Sequence, residues 1–284
     1  MTRFWLGIGC LLGLLARPSG PAHAQADLRR ERAEYVRWLT TSPTSPLAAL
    51  AQQPIGHGLR LGPADADLPL EGVSEYRVEP RPGGIRLTGP TGTRIMRRGV
   101  PVMIRGYTLT ADGPGGREVL TVFGPTRSGK RPSYFDPSPA QVLVGPLIPP
   151  ERHGTIRVLG LDGIEVEAAE AGSVLVPIGG RRVRLLVRRL PLAGSEESEL
   201  EIFFRDETNG RGTYPAGRFV TLAPAGATRY RLDFNRARNP FCAYSAAYPC
   251  PAPWRGNTIP APVTAGERYD GGGVTAPPVE GSGP

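Results

Sequence analysis

Between Arg205 and Tyr269 the sequence crowds together carboxylates, amides, guanidiniums, tyrosines and two cysteines. The run RDETNGRGTYPAGRF is followed by LDFNRARNPFCAYSAAYPCP and then by TAGERY. Asp206, Asp233 and Glu267 come from three separate segments, and two such carboxylates brought together could divide the acid and base work of a hydrolysis. Tyr214, Arg218, Asn235, Arg236 and Asn239 supply donors and cations suited to a small polar or anionic ligand. The same residue types have an architectural use. Aspartate and asparagine satisfy backbone donors in turns, and an arginine buried against a carboxylate acts as a strut. The residues alone therefore leave an enzyme, a binding module and a structural network all open.

Cysteine chemistry is bounded by count and compartment. Cys10 lies in an N-terminal apolar segment, which leaves Cys242 and Cys250. An even number in an exported chain predicts a disulfide, worth roughly 2–3 kcal/mol for so short a loop on the chain-entropy model. Free thiols and half of a zinc site are the alternatives, although C-x7-C is not a zinc-knuckle spacing and only His57 and His153 stand elsewhere beyond the leader. A cysteine nucleophile needs a nearby base, and no histidine is local. No metal and no cofactor is expected. Gly124-Pro-Thr-Arg-Ser-Gly129-Lys130 imitates the start of a phosphate-binding loop, but Arg131 replaces the hydroxyl residue and Pro132 forbids the helix that motif requires. Asp65 and Asp67 read as a solvated turn, since a calcium loop would need a glycine and a later glutamate.

The ordered series of unusual positions resembles the domain of unknown function 1684 family over residues 204–269. The matching residues are Asp206, Thr208, Gly210, Thr213, Tyr214, Gly217 and Arg218, then Asp233 to Ala237, Asn239, Pro240, Cys242, Ala243 and Cys250, and last Ala265, Gly266 and Glu267. The resemblance implies a β-rich domain with no established activity, and so transfers no catalytic residue.

The elements that must position these residues follow from the patterning. Arg3, the apolar run Phe4–Leu15 and Ala22-His23-Ala24 read as a signal peptide over residues 1–24, cleaved after Ala24, and predict a periplasmic or secreted protein. Residues 25–41 form a helix, with Asp27 as its cap and Leu28, Tyr35, Trp38 and Leu39 on one stripe, arginines elsewhere. Over Val73–Gly124 turns recur about every 8–12 residues, the rhythm of an all-β fold, and residues 42–269 read as a single such domain built as a barrel or two packed antiparallel sheets. Val100–Thr110 reads as one strand with a bulge at Gly106, and Ile164–Glu167 and Val174–Ile178 as two strands. Along Arg181–Arg189, Arg182, Arg184 and Arg188 point away from Val183, Leu185 and Val187, and they face Glu199 and Glu201 across a hairpin as a balanced outer face. A proline-rich wrap holding both cysteines closes the domain, and residues 270–284 read as a disordered tail.

The formal charge of +8 falls to +6 once Arg3 and Arg17 leave with the signal. Acidic residues are interspersed with the basic ones, so no nucleic-acid patch is expected. No later run is apolar enough to span a membrane. The leading expectation is a small-ligand-binding envelope module of unknown oligomeric state. A hydrolase using Asp206 and Asp233, or a purely structural envelope protein, follows behind it.

Overall fold

The computed structural model describes residues 21–192, 197–252 and 254–271. Most of the expected signal peptide and all but the first two residues of the expected tail lie outside the described residues. The fold is all-β with an N-terminal α-helix, as the turn rhythm predicts.

Helix α1 runs Pro21–Thr41, so Asp27 lies inside it and pairs with Arg30 at 3.2 Å instead of capping its start. Leu28 and Leu39 are buried, and the Tyr35 ring stacks on Trp38. Arg32 also falls on this stripe, four residues after Leu28, and is half-buried rather than turned to solvent. The proline run after Ser42 ends the helix. Arg127, from the segment that imitates a phosphate loop, donates to the carbonyls of Thr41 and Ser42 at 2.9 Å. A cation at a helix C-terminus meets the negative end of its dipole.

Strands β1 (Ala49–Pro54), β2 (Leu59–Gly62), β3 (Leu68–Pro69), β4 (Tyr76–Arg81), β5 (Gly84–Gly89), β6 (Gly92–Met96), β7 (Val102–Ile104), β8 (Tyr107–Asp112) and β9 (Val119–Phe123) come next. They make two sheets, ordered β3-β2-β4-β5-β6 and β1-β9-β8-β7. Both contribute to a core that includes Leu61, Val78, Leu87, Leu109 and Val122. Val100–Thr110 is a hairpin rather than one bulged strand. Ile104 pairs with Tyr107, and Arg105 and Gly106 have φ of 44° and 88°. Two positive φ values define the tight turn that suits strand twist, and arginine in place of the usual asparagine hides it.

The remaining strands are β10 (Val142–Pro146), β11 (Thr155–Leu159), β12 (Glu165–Ile178), β13 (Arg181–Pro191), β14 (Ser198–Asp206), β15 (Arg218–Pro224), β16 (Arg229–Asp233) and β17 (Thr258–Ile259). Their order is β10-β16-β15-β14-β13-β12-β11, with β17 parallel to the end of β14. The two strands expected within 164–178 are one, β12, joined through an irregularity between Glu170 and Gly172. One face of this sheet buries Leu185, Ile202, Phe204 and Val220. Across it runs the wrap, in which Ile259, Ala261, Val263 and Ala265 are buried while Pro260, Pro262 and Thr264 are exposed. That is the alternation of extended chain, and the prolines have no N–H with which to continue a ladder.

The opposite face departs from the expected charged surface. Arg182 and Arg184 are exposed, but Arg188 and Glu201 are buried directly opposite one another. Trp254 covers this end with Phe203 and Phe219, and the Arg188 guanidinium lies 5.2 Å from its ring centre. The wrap supplies the lid that a hairpin pattern alone cannot reveal.

Candidate functional site

The turn after β14 is built around Asp206. Its Oδ1 accepts from the Thr208 amide (2.8 Å), the Thr208 hydroxyl (2.5 Å) and the Val263 amide (3.1 Å). Its Oδ2 accepts from Arg218 at 2.9 Å, and both side chains are fully buried. Arg218 also donates to the carbonyls of Val263 (2.8 Å), Ala265 and Glu267 (3.3 Å). One guanidinium thus fastens β15 to three turns of the wrap's zigzag. Two glycines let the backbones approach. A Cβ at Gly217 (φ 111°) would meet the Phe204 carbonyl at 2.6 Å, and one at Gly266 (φ 74°) the Ala237 carbonyl at 2.6 Å. Tyr214 is wholly buried beside this turn, its carbonyl accepting from Asn209 Nδ2 at 2.5 Å.

Asp233 ends β16 and caps the short 3-10 helix Phe234–Arg236. Its Oδ1 accepts from the amide and the side chain of Asn235 at 3.0 and 2.9 Å, and its Oδ2 from Arg236. Asn235 in turn exchanges two 2.9 Å bonds with the Ser138 backbone. The remaining donors of Arg236 reach Glu31 of α1 at 2.8 and 3.0 Å. Arg32, one residue on, donates to the Asn235 carbonyl at 3.1 Å. Asp206 and Asp233 therefore stand in separate networks, each with both oxygens engaged by the protein.

Glu267 differs from both. It is fully buried; Oε2 accepts from the Asn239 amide (2.8 Å) and the Tyr244 hydroxyl (3.0 Å), while Oε1 has no partner. Burial raises its carboxyl to about 7, against the opposing pull of those two donors. Asn239 donates to the Arg268 carbonyl at 3.0 Å, but its Oδ1, also buried, has none. A cleft of about 150 Å³ opens at Asn239, lined also by Lys130, Arg131, Tyr244, Arg268 and Asp270. Asp270 bonds Ser133 at 3.1 Å and stands 3.4 Å from Arg268. Of the expected ligand residues, Asn239 alone lines this cleft. Tyr214 and Arg218 lie in the strut network, and Asn235 and Arg236 under the helix.

Cys242 and Cys250 stand as free thiols, the first buried and the second partly exposed. The Tyr214 hydroxyl is 3.2 Å from Cys250 Sγ. Among the described residues no group of three or more histidines, cysteines or carboxylates is placed to hold a metal ion, and no helix is long and apolar enough to cross a membrane. Asp65 and Asp67 of the early turn are both taken by Arg60.

Sequence reasoning passed over three contributors. Asn257 is fully buried, bonds both backbone groups of Leu186 (2.7 and 3.0 Å) and donates to the Phe203 carbonyl (3.1 Å). A lone asparagine following a turn glycine carries no signal for such a role. Tyr244 stands in the Cys-Ala-Tyr run and could have been taken with it. Glu31, outside the apolar stripe, has no local feature that marks it as the partner of Arg236.

Residues 130–268 match the family model described as Protein of unknown function (DUF1684). An uncharacterized protein of Haloarcula marismortui, solved by solution NMR, is 30% identical over 51% of this chain and 80% of that one, with a TM-score of 0.43. No curated protein matches. The family match reaches back to Lys130, well before the motif-bearing residues 204–269, and takes in most of the large sheet together with the cleft residues Lys130, Arg131, Asn239, Tyr244 and Arg268: the chain belongs to the DUF1684 family.

Proposed function

We propose that the chain is an exported binding module for a small ligand that combines a hydrogen-bond-donating head with an anionic group. The observation that carries this reading is the buried Asn239 Oδ1, without a partner, on the wall of a cleft rimmed by Lys130, Arg131 and Arg268. A buried acceptor asks for a donor, and the rim cations suit a carboxylate or phosphate. Asp270 on the same wall adds a place for an ammonium or hydroxyl. A cavity of this volume takes a molecule about as large as benzene, so hydroxy acids, amino acids and small sugar phosphates form the class to screen. Saturable thermal stabilisation by one of these is expected, weakened in Lys130→Ala and Arg268→Ala. If no member of the class shifts the melting temperature, the purely structural reading takes precedence.

The hydrolase alternative rests on Glu267, whose burial lifts its carboxyl to about 7, within the range of a working general acid. Loss of turnover with binding retained in Glu267→Gln would favour it.

Export with cleavage after Ala24 belongs to the same proposal. Leu28, Glu31, Arg32, Tyr35, Trp38 and Leu39, which dock the helix, all lie beyond that point. A Cys242–Cys250 bridge is proposed for the exported form, supported by the packing of the two cysteines in one cluster.

A further inference from the structure

The cysteine pair takes no part in the cleft, and its surroundings are unequal. Cys242 lies in the 3-10 helix Phe241–Ala243 and is 1% exposed. Cys250 sits in the following loop and is partly open to solvent. The two cysteines pack in one cluster, and the Tyr214 hydroxyl lies 3.2 Å from the Cys250 sulfur. Tyr214 is itself fixed, through its carbonyl to Asn209 and by an edge-on contact with Tyr269 at 4.8 Å. A partly exposed cysteine whose sulfur hydrogen-bonds a fixed tyrosine, packed in one cluster with a buried cysteine, is the arrangement of an attacking and a resolving thiol.

We propose that Cys250 and Cys242 form a thiol–disulfide exchange site for small-molecule disulfides, with Cys250 attacking and Cys242 resolving. The Cys250 thiolate attacks one sulfur of R–S–S–R; that bond breaks, and the departing RS⁻ takes a proton from water. Cys242 gives its proton to water and attacks Cys250 Sγ, expelling the second RS⁻. The two protein thiols are oxidised to one disulfide while R–S–S–R is reduced to two RSH. The hydrogen bond from Cys242, with that from Tyr214, brings the Cys250 thiol down to about 6 in spite of its partial burial. The same contact and burial push Cys242 up, keeping it protonated until the mixed disulfide forms. A thiolate is thus present near neutral pH without a histidine. Stabilising the reduced form also makes the bridge easier to reduce than one that only staples a loop.

The test uses the full mature chain, reduced and freed of reductant, with an aromatic disulfide reagent whose released thiolate is coloured. Wild type is expected to release two equivalents and finish about two mass units lighter than its reduced form, with no adduct. Cys242→Ser should release one equivalent and hold a stable mixed disulfide on Cys250. Cys250→Ser should react at least tenfold more slowly, through the buried thiol. Tyr214→Phe, if it matches wild type in near-ultraviolet circular dichroism, should slow the first release several-fold. A Tyr214→Phe that fails to fold leaves the decision to the two serine variants. A stable adduct on wild type, equal rates for the two serine variants, or a bridge that stays closed in excess reduced glutathione would each overturn the proposal.

Discussion

Asp206 and Glu267 are both carboxylates buried beneath the same wrap, yet they are held in opposite ways. Asp206 has donors on both oxygens, and its arginine continues into three backbone carbonyls. Glu267 has donors on one oxygen only, and Asn239 beside it leaves a second buried acceptor open. A network whose carboxylate oxygens are both taken ties segments together, and the one buried atom it leaves without a partner, Arg218 Nε, is a donor rather than an acceptor. An open one is costly to the fold and has capacity to spare. The difference separates strut from candidate site within one stretch of similar residues.

The sharpest way to break the contrast is Arg218→Ala. It strands a buried carboxylate and removes the donor to Val263, Ala265 and Glu267, so urea denaturation should report a loss of about 3–5 kcal/mol. A loss below about 1 kcal/mol would mean that the strut is not one.

Next comes the dependence of stability on pH. Burial raises Glu267 and Glu201 from the ordinary 4.5 to about 7, so the native chain keeps protons that the unfolded chain releases. Their contribution is complete below about 4.5 and is lost as pH rises through about 7. Glu267→Gln should flatten that decline by an amount of order 1–3 kcal/mol, read from melting curves at several pH values. An unchanged slope would place Glu267 among the satisfied carboxylates.

Asn239→Ala should cost only about 1 kcal/mol, because the variant gives up one bond to the Arg268 carbonyl while its Oδ1 already had none. If it proves as damaging as Arg218→Ala, the two regions are alike. The smallest effect is expected from Glu31→Ala. Its pair with Arg236 is partly exposed, so a double-mutant cycle should return at most about 1 kcal/mol, less at high salt.

How far the sequence foretold all this varies with the range of the interaction. The helix stripe, most strand positions and the absence of a helix after Lys130 are local matters of periodicity and proline, and they were readable. The Arg105-Gly106 turn was not, because an arginine there gives no sign of positive φ. Nor was the burial of Arg188 and Glu201, which depends on Trp254 arriving from the wrap. The candidate residues were found by type, since aspartate, arginine and asparagine at such density announce a polar network. Their sorting into three networks depends on partners far along the chain, and residue type does not encode distance. Asn257 shows the limit: three hydrogen bonds to distant backbone groups are carried by a side chain with no neighbour to advertise it.

The docking of α1 has a consequence in time. Glu31 and Arg32 bond residues more than two hundred positions later. On a ribosome adding about 5–20 residues per second, the helix waits on the order of 10–40 s for Arg236 to be made. Until then Trp38 lacks the Phe241 ring it packs against, a contact that closes a very long loop, while Leu39 has, beyond its own helix, only Leu47 and Ala49 close by in the chain to cluster with. The first element synthesised is therefore among the last to be seated. A chain halted before Phe241 exposes an apolar helix face that chaperones can hold, so a truncation series should mark the length at which that hold is released.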